Sequence, residues 1–491
     1  MSYSNPRYEG RLVLIPHVRD AFASVHIAEK PSGSIELSLE GADSKLLYQV
    51  DEIGASNGSG DIYNYPFLFH RDGDPWFEAN SYLRSLVEDK NLTNRPTDDT
   101  RRRASKLLDY LIYCEEEGLD WLDFSGRRPV LRPTYKYFAH LVNEGKRSAA
   151  VINQYTGVVY DFYKFVSANW HDIDMQRVDS VQEVKFLIKN SYGAARVITA
   201  EKRSQTKTKA PNSLVSIGYI REDGEELRPL SNTELAELMG MLRSNEWSAL
   251  ERLILLTALM TGARKQTVLT MRLKHLKSFT SENLQGDGTY LLYAGPGTGI
   301  DTKKDRSQRL HLPKQLAEEL KVLTNSPVMK KRRAKLREHL AKEYPSLFMS
   351  DDDMYVFLSD QGGCYYMAKD DPRYPVVKSR PMGQVADTIK RKLLKKTSAK
   401  FPRDFTFHWL RATFAFQLYQ RLRELIATGV MQSGDDIDFI KERMHHTSRE
   451  MTEHYLQLFK MLPQKLVAQE FYEAALFFNG YTDLKLDAQD E

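Results

Sequence analysis

The chain has 491 residues, 41% of them hydrophobic and 28% charged, the balance of a soluble globular protein with room for two to four domains. Its 70 Lys and Arg against 66 Asp and Glu leave a formal charge of only +4, so a site for a polyanion has to come from local clustering of basic residues. The two cysteines, Cys114 and Cys364, are far apart and form no CxxC pair, which excludes a disulfide framework or a cysteine-rich zinc site and fits ordinary buried thiols in a reducing compartment.

No apolar run reaches membrane-spanning length, and the first residues lack the apolar core of a signal peptide, so a cytoplasmic protein with no membrane partner is expected. Residues 1–92 read as a small β-containing appendage. The stretches Arg11–Ile15 and Leu46–Val50 favour strands, and Gly54–Gly60 is turn-rich punctuation. From Pro96 the pattern becomes helical, and residues 96–204 read as one helical domain. Leu107, Leu108, Leu111 and Cys114 recur at helical spacing up to Gly118, a candidate C-cap. Val151, Tyr155, Val158, Phe162 and Phe165 form a second stripe behind Ser148, a candidate N-cap. Arg101–Arg103, Lys136, Lys146 and Arg147 read either as a solvated face or as contacts to phosphates.

Residues 205–229, including Glu222-Asp223-Gly224-Glu225-Glu226, read as a polar linker. A new domain, 230–462, opens where Ser231 and Glu234 form a capping box ahead of Leu235, Leu238, Met239 and Leu242. Leu250–Met260 is nearly all apolar and predicts a buried helix. Gly262 then permits a tight turn that holds Arg264 at the mouth of the core. Tyr290–Tyr293 and Arg309–Pro313 read as strands around turns that carry Lys303 and Lys304, and a lysine in such a hairpin can reach a leaving group. The intervening Gly295-Pro296-Gly297-Thr298-Gly299 is not a nucleotide loop, because no GK[ST] follows it. Two further basic runs, Lys330–Arg337 within an insertion over 328–371 and Lys390–Lys396, read either as solvated helices or as contacts to a DNA backbone. Residues 463–491 form a C-terminal helix and tail, whose Leu466, Phe471, Ala474, Ala475 and Phe477 either cap their own domain or dock on a neighbouring subunit.

The pattern that carries chemistry is spread over this second half. His408-x-x-Arg411 alone is close to chance, since two of the twelve histidines have an arginine three residues on. Order adds the weight: Thr261-Gly262-Ala263-Arg264 after an apolar helix, a lysine-bearing hairpin, His408-x-x-Arg411 opening a helix, then His446 and, nine residues on, Tyr455. Two forked guanidiniums suit the charge that gathers on a phosphodiester in its transition state. A tyrosine among them can attack phosphorus, and a lysine can protonate the departing oxygen. Such a site requires neither metal nor ATP. The adjacent His445 and His446 do not make a metal pair, because neighbours on a helix face different ways and no carboxylate spacing supports them.

This ordered series resembles the tyrosine recombinases, the phage-type integrases and Xer-like enzymes. The resemblance covers about Leu230 to Phe459 and, more loosely, Pro96 to Trp170 as a core-binding domain. It implies a mainly α protein with small β elements, a helical core-binding domain followed by an α-rich catalytic domain, the two clamping double-stranded DNA. Residue by residue, it makes Arg264 and Arg411 the paired arginines, His408 and His446 the motif histidines, Tyr455 the nucleophile and Lys303 the hairpin lysine, with Lys304 selected instead by a one-residue gap. It also implies a homo-oligomer, a tetramer on synapsed DNA linked through the C-terminal helix, with accessory proteins as further partners. The implied activity is site-specific strand exchange, the integration or excision of a mobile element. Three features depart from the family pattern: Thr267 stands where an acidic residue usually braces the first arginine, His445 stands where glycine is usual before the second histidine, and the catalytic domain carries the long basic insertion over 328–371.

Overall fold

The computed structural model describes residues 8–19, 21, 25–27, 35–36, 47–50, 61–88, 97–189, 195–207, 219–222, 225–432, 434–446, 452, 453 and 455. The chain folds as two units, residues 1–213 with 375–378, and residues 214–374 with 379–491. The predicted C-terminal helix over 463–491 lies outside the described residues.

The first unit contains strands β1 (Leu12–Val18), β2 (Val25–Ile27), β3 (Ile35–Glu36), β4 (Leu47–Val50) and β5 (Ile62–Leu68), then helices α1 (Phe77–Glu88), α2 (Asp98–Glu116), α3 (Pro133–Asn143), α4 (Ala149–Asn169) and α5 (Met175–Val178), and a final hairpin of β6 (Val181–Lys189) and β7 (Ala195–Arg203). β1 pairs antiparallel with β5, Leu12 opposite Leu68, and β4 lies between β2 and β3. Ile62, Tyr65 and Leu68 of β5 belong to the same core as Leu107, Leu111, Tyr137 and Phe162 of the helices. The β1–β5 ribbon thus shares the helices' core, because β5 is buried on both faces over most of its length.

α4 begins at Ser148, whose hydroxyl accepts from the Val151 N–H. Its buried side extends beyond the predicted stripe to Ile152, Val159, Tyr163 and Val166. The helix packs against α1, α2 and α3 together, and a helix enclosed on three sides buries more than one stripe. The basic residues of this unit have partners close by. Arg101 lies 2.6 Å from Asp98, Arg103 lies 2.9 Å from Asp161, and Arg147 and Lys146 pair with Glu144 at 2.7 and 3.0 Å.

The second unit contains the short hairpin β8 (Ile220–Glu222) and β9 (Glu225–Leu227), helices α6 (Asn232–Leu242), α7 (Ala249–Thr261), α8 (Lys265–Leu269) and α9 (Leu273–Lys277), the hairpin β10 (Thr289–Ala294) and β11 (Gln308–Pro313), and helices α10 (Lys314–Asn325), α11 (Pro327–Glu343), α12 (Val385–Lys396), α13 (Trp409–Ala427) and α14 (Asp435–Met444). The capping box of α6 forms as predicted, with the Glu234 N–H donating to the Ser231 hydroxyl at 3.3 Å and the Ser231 N–H donating to the Glu234 carboxylate at 2.8 Å. α7 is the central helix, buried through Leu253, Ile254, Leu255 and Ala258 and packed on α13, α10 and β11. β10 and β11 pair with Tyr290 opposite Leu312, and alternate residues of β11, Leu310 and Leu312, face the core.

The basic run on α11 is largely taken up within the fold. Arg332 donates to the Leu358 carbonyl at 2.7 Å, Arg333 to the Thr324 carbonyl at 2.8 Å, Lys335 to the Asp360 carbonyl at 2.8 Å, and Arg337 to Asp351 at 2.6 Å. Both sequence readings, a solvated helix and a DNA-backbone contact, passed over these internal partners. Both cysteines are buried free thiols, and no helix among the described residues is long and apolar enough to cross a membrane.

Candidate active site

The site is built where three helix ends meet. α7 stops at Gly262, whose φ of +66° is left-handed. A Cβ there would lie 2.6 Å from Phe414 Cδ1, so both the turn and the packing require glycine. The turn sets Arg264 at the start of α8. Arg411, in the first turn of α13 and 3% exposed, donates from Nη1 to the Gly262 carbonyl at 2.7 Å and from Nη2 to the Met444 carbonyl at 2.5 Å. One guanidinium thereby joins the C-terminal ends of α7 and α14 and fills carbonyls that their helices leave open. His408 immediately precedes α13.

α14 ends at His445, which adopts a left-handed φ of 52°. Glycine reaches that conformation without steric cost, which gives a physical reason for the glycine usual at this point of the pattern. The next residue, His446, is buried, and its Nδ1 lies 3.0 Å from the Thr452 hydroxyl. Thr452, Glu453 and Tyr455 have helical backbone, and the His446 and Tyr455 rings lie 5.1 Å apart, centre to centre.

Four of the predicted residues converge on one carboxylate, that of Glu222 at the end of β8. Arg264 Nη2 lies 2.5 Å from Glu222 Oε1 and Arg411 Nε 3.8 Å from the same oxygen. His408 Nε2 lies 3.5 Å from Glu222 Oε2, and the Tyr455 hydroxyl donates a hydrogen bond to that second oxygen. Around this centre Arg411 Nε, His408 Nε2 and His446 Nε2 are buried without a hydrogen-bond partner among the described residues. Single atoms of this kind occur elsewhere in the fold, at Trp76 Nε1 and Arg333 Nη1 for example, so what sets this place apart is their clustering beside one carboxylate.

The electrostatics follow from burial and from the two guanidiniums. Burial would raise the Glu222 carboxyl, but Arg411, His408, Arg264 and the Tyr455 hydroxyl hold it down at about 2. Burial, reinforced by Arg411 and Arg264, lowers His408 to about 4 although Glu222 opposes this, and lowers His446 to about 3. Both imidazoles are therefore neutral at pH 7. The Tyr455 hydroxyl is pushed well above 10 by burial and by the adjacent Glu222 carboxylate, with Arg411 and Arg264 pulling the other way.

A cavity of about 430 Å³ opens beside this centre, lined by Arg264, His408, Arg411, Lys303, Lys265 and Lys390 among others. Lys303 is half-buried at its wall, whereas Lys304 is exposed and left-handed at φ 58°. The structure thus brings Arg264, Lys303, His408 and Arg411 to one cavity wall, with His446 and Tyr455 packed at the same centre. Thr267, at the usual acidic position, is buried and donates to the Asp301 carbonyl at 3.0 Å, so the carboxylate partner of Arg264 comes from another part of the chain. Reading residues 205–229 as a linker missed Glu222. The available signal was the Asp223-Gly224 pair between short runs with strand character, a hairpin turn signature.

Residues 228–461 match the phage integrase family, and no curated protein matches the chain. Among solved structures, the XerH site-specific recombinase bound to difH substrate in a pre-cleavage complex aligns at a TM-score of 0.40 and 15% identity, over 81% of this chain and 84% of that one. The Tn1549 transposon integrase in complex with transposon right end DNA aligns at a TM-score of 0.37 and 12% identity, over 77% and 94%. Arg264, Lys303, His408, Arg411, His446 and Tyr455 all fall inside the stretch that matches the phage integrase family, whereas Glu222 precedes it.

Proposed function

We propose that this chain is a site-specific DNA recombinase that cleaves and rejoins duplex DNA through a 3′-phosphotyrosine intermediate, serving the integration or excision of a mobile element. The observation that carries this reading is the convergence of Arg264, Arg411, His408 and the Tyr455 hydroxyl on a single anionic group. Guanidiniums that coordinate a carboxylate suit the nonbridging oxygens of a phosphodiester equally well. In the proposed reaction the Tyr455 oxygen bonds to phosphorus, and the bond from phosphorus to the 5′ oxygen breaks. Lys303 supplies the proton to that leaving oxygen, and a neutral imidazole, His408 or His446, takes up the phenol proton. Arg264 and Arg411 stabilise the charge on the transition state. The phosphotyrosine retains the energy of the broken bond, so rejoining requires no ATP, and the chemistry requires no metal.

The deciding experiment incubates the full chain and Tyr455→Phe with nicked suicide duplexes, including DNA from the ends of the element that carries its gene. A covalent protein–DNA adduct with the first protein and none with the variant is the expected result. No adduct on any substrate would replace this reading with that of a DNA-binding accessory protein. Exchange between two sites, as opposed to relaxation of one supercoiled circle, separates a recombinase from a type IB topoisomerase-like enzyme. A synaptic tetramer linked through residues 463–491 belongs to the same proposal, and truncation at Leu462 tests it by abolishing exchange while cleavage of one site persists.

A further inference from the structure

The hairpin β8–β9 places a carboxylate at the point where four candidate catalytic side chains meet. Glu222 is buried, 7% exposed, and a charged group is buried at this cost only where it is paired. Its two oxygens contact Arg264 and Tyr455 directly and face Arg411 Nε and His408 Nε2 at 3.8 and 3.5 Å. We propose that Glu222 is a built-in stand-in for the scissile phosphate, an autoinhibitory plug that withholds Arg264 and Tyr455 from DNA until β8–β9 swings out. The inference rests on the recombinase reading given above.

Three observations favour a plug over a brace. A carboxylate that only oriented Arg264 would sit behind the guanidinium and leave the nucleophile alone, whereas Glu222 accepts the Tyr455 hydrogen bond. Glu222 Oε1, 2.5 Å from Arg264 Nη2, also takes the place of a nonbridging phosphate oxygen on that guanidinium, so carboxylate and phosphate compete for the same donor. The fit is also incomplete. Arg411 Nε, His408 Nε2 and His446 Nε2 have no hydrogen-bond partner among the described residues, and a tetrahedral phosphate has more acceptor oxygens to offer than a planar carboxylate.

The hairpin is built to release. Its strands have three residues each, and a two-stranded ribbon of that length is marginal without support. Beyond Glu222 and the internal Arg221–Glu226 pair, its ties include a Trp409 indole bond to the Glu226 carbonyl at 3.3 Å, a Thr406 hydroxyl bond to Glu225 at 3.3 Å and, at the base of β8, a Tyr219 hydroxyl bond to Asp404 at 3.0 Å. The firm anchor lies at the last residue of β9 and just past it, where Leu227 and Leu230 are fully buried and the Leu230 N–H donates to Thr413 at 2.9 Å. The hairpin pivots there by giving up the Trp409 indole bond while the bond to Thr413 is kept.

The test uses the full chain, Glu222→Gln and Glu222→Ala, with inorganic orthovanadate as the anion and binding measured by calorimetry. Both variants are expected to bind it at least ~10-fold more tightly than the unsubstituted chain, and to form the suicide-substrate adduct faster. Unchanged or weaker anion binding in variants that retain the parent melting temperature overturns the plug, whether or not adducts form. Tighter anion binding with no adduct from any protein upholds the plug and overturns the recombinase reading instead. Should both variants fail to fold, amide hydrogen exchange over 220–227 in the unsubstituted chain decides. Faster exchange in saturating orthovanadate supports displacement of the hairpin, and exchange unchanged by bound anion overturns it.

Discussion

Two regions of the second unit, the basic run on α11 and the helix-end centre, both bury an arginine, Arg333 and Arg411, and differ in what surrounds it. On α11, Arg332 and Arg337 reach a carbonyl and a carboxylate of the same insertion, and Arg333 reaches the Thr324 carbonyl of α10. Nearby Arg272 is the limiting case, with bonds to the Gly299 and Asp353 carbonyls and to Asp370, and its guanidinium 3.9 Å from the Tyr355 ring centre. At the helix-end centre, Arg411 is equally buried but leaves Nε without a hydrogen-bond partner among the described residues, aimed at a carboxylate 3.8 Å away. Density of positive charge does not separate a site from a scaffold. Nor do unfilled buried donors, since Arg333 Nη1 on α11 is one too; the convergence of two guanidiniums, an imidazole and a phenol on one carboxylate does.

The contrast breaks if the two kinds of arginine respond alike to removal. Arg411→Ala is expected to lower adduct formation by roughly 10²–10³-fold or more, and, by orphaning the Gly262 and Met444 carbonyls, to destabilise the unit by about 2 kcal/mol. Arg333→Ala is expected to cost about 1–2 kcal/mol in denaturant unfolding through the Thr324 carbonyl and to leave the adduct rate as it was. Equal loss of activity in both would abolish the distinction.

Lys303→Ala is expected to slow cleavage by about 10²-fold, with recovery on a substrate whose 5′ bridging oxygen is replaced by sulfur, a leaving group that requires no proton. Lys304→Ala, exposed beside it, is expected to stay within about twofold of the parent; the reverse pattern would move the acid to Lys304. Gly262→Ala sharpens the geometric side of the comparison, since its Cβ would lie 2.6 Å from Phe414. We expect a loss of about 1–3 kcal/mol in urea unfolding, and a neutral result would show that α13 gives way.

The histidines set an acid limit. His408 and His445 are held at about 4 and His446 at about 3, against an ordinary 6.5. Between those values the unfolded chain binds more protons than the folded one, so stability is lost as pH falls from about 6.5 towards 4, by about 1.4 kcal/mol per pH unit for each histidine. Glu222 acts in a lower window, its contribution present above 4.5 and lost as pH falls towards about 2. Melting temperature is expected to fall from pH 7 to pH 5, and His446→Gln to flatten that slope; a pH-independent melt would mean the imidazoles are not buried neutral. The smallest effect is that of Arg337→Ala. Its exposed pair with Asp351 is expected to contribute less than about 1 kcal/mol.

Local signals in the sequence were readable where local physics decides. The Ser231–Glu234 capping box, the apolar run that became α7, the glycine turn before Arg264 and the lysine-bearing hairpin all rest on contacts within a few residues. The stripe on α4 was read too narrowly because three other helices enclose it, and periodicity in one segment carries no information about how many neighbours it has. Glu222 was out of reach for a related reason. Its partners are 42 residues away at Arg264 and 233 away at Tyr455, and nothing in a polar, acidic stretch announces that it will be drawn into a cationic pocket. The basic run on α11 carries two readings in the sequence because its carbonyl partners, such as Leu358, lie beyond any local pattern.

Arg411 has one more consequence, for how such a chain can change over time. The same guanidinium that points Nε at the reacting centre holds the last carbonyls of α7 and α14 together. A lineage that no longer needed to cut DNA could let Lys303 or Tyr455 drift at little structural cost. It could not release Arg411 so easily, because selection for a folded domain alone would retain it. An arginine at this position is therefore a poor witness to activity in distant relatives, and the hairpin lysine and the tyrosine are better ones.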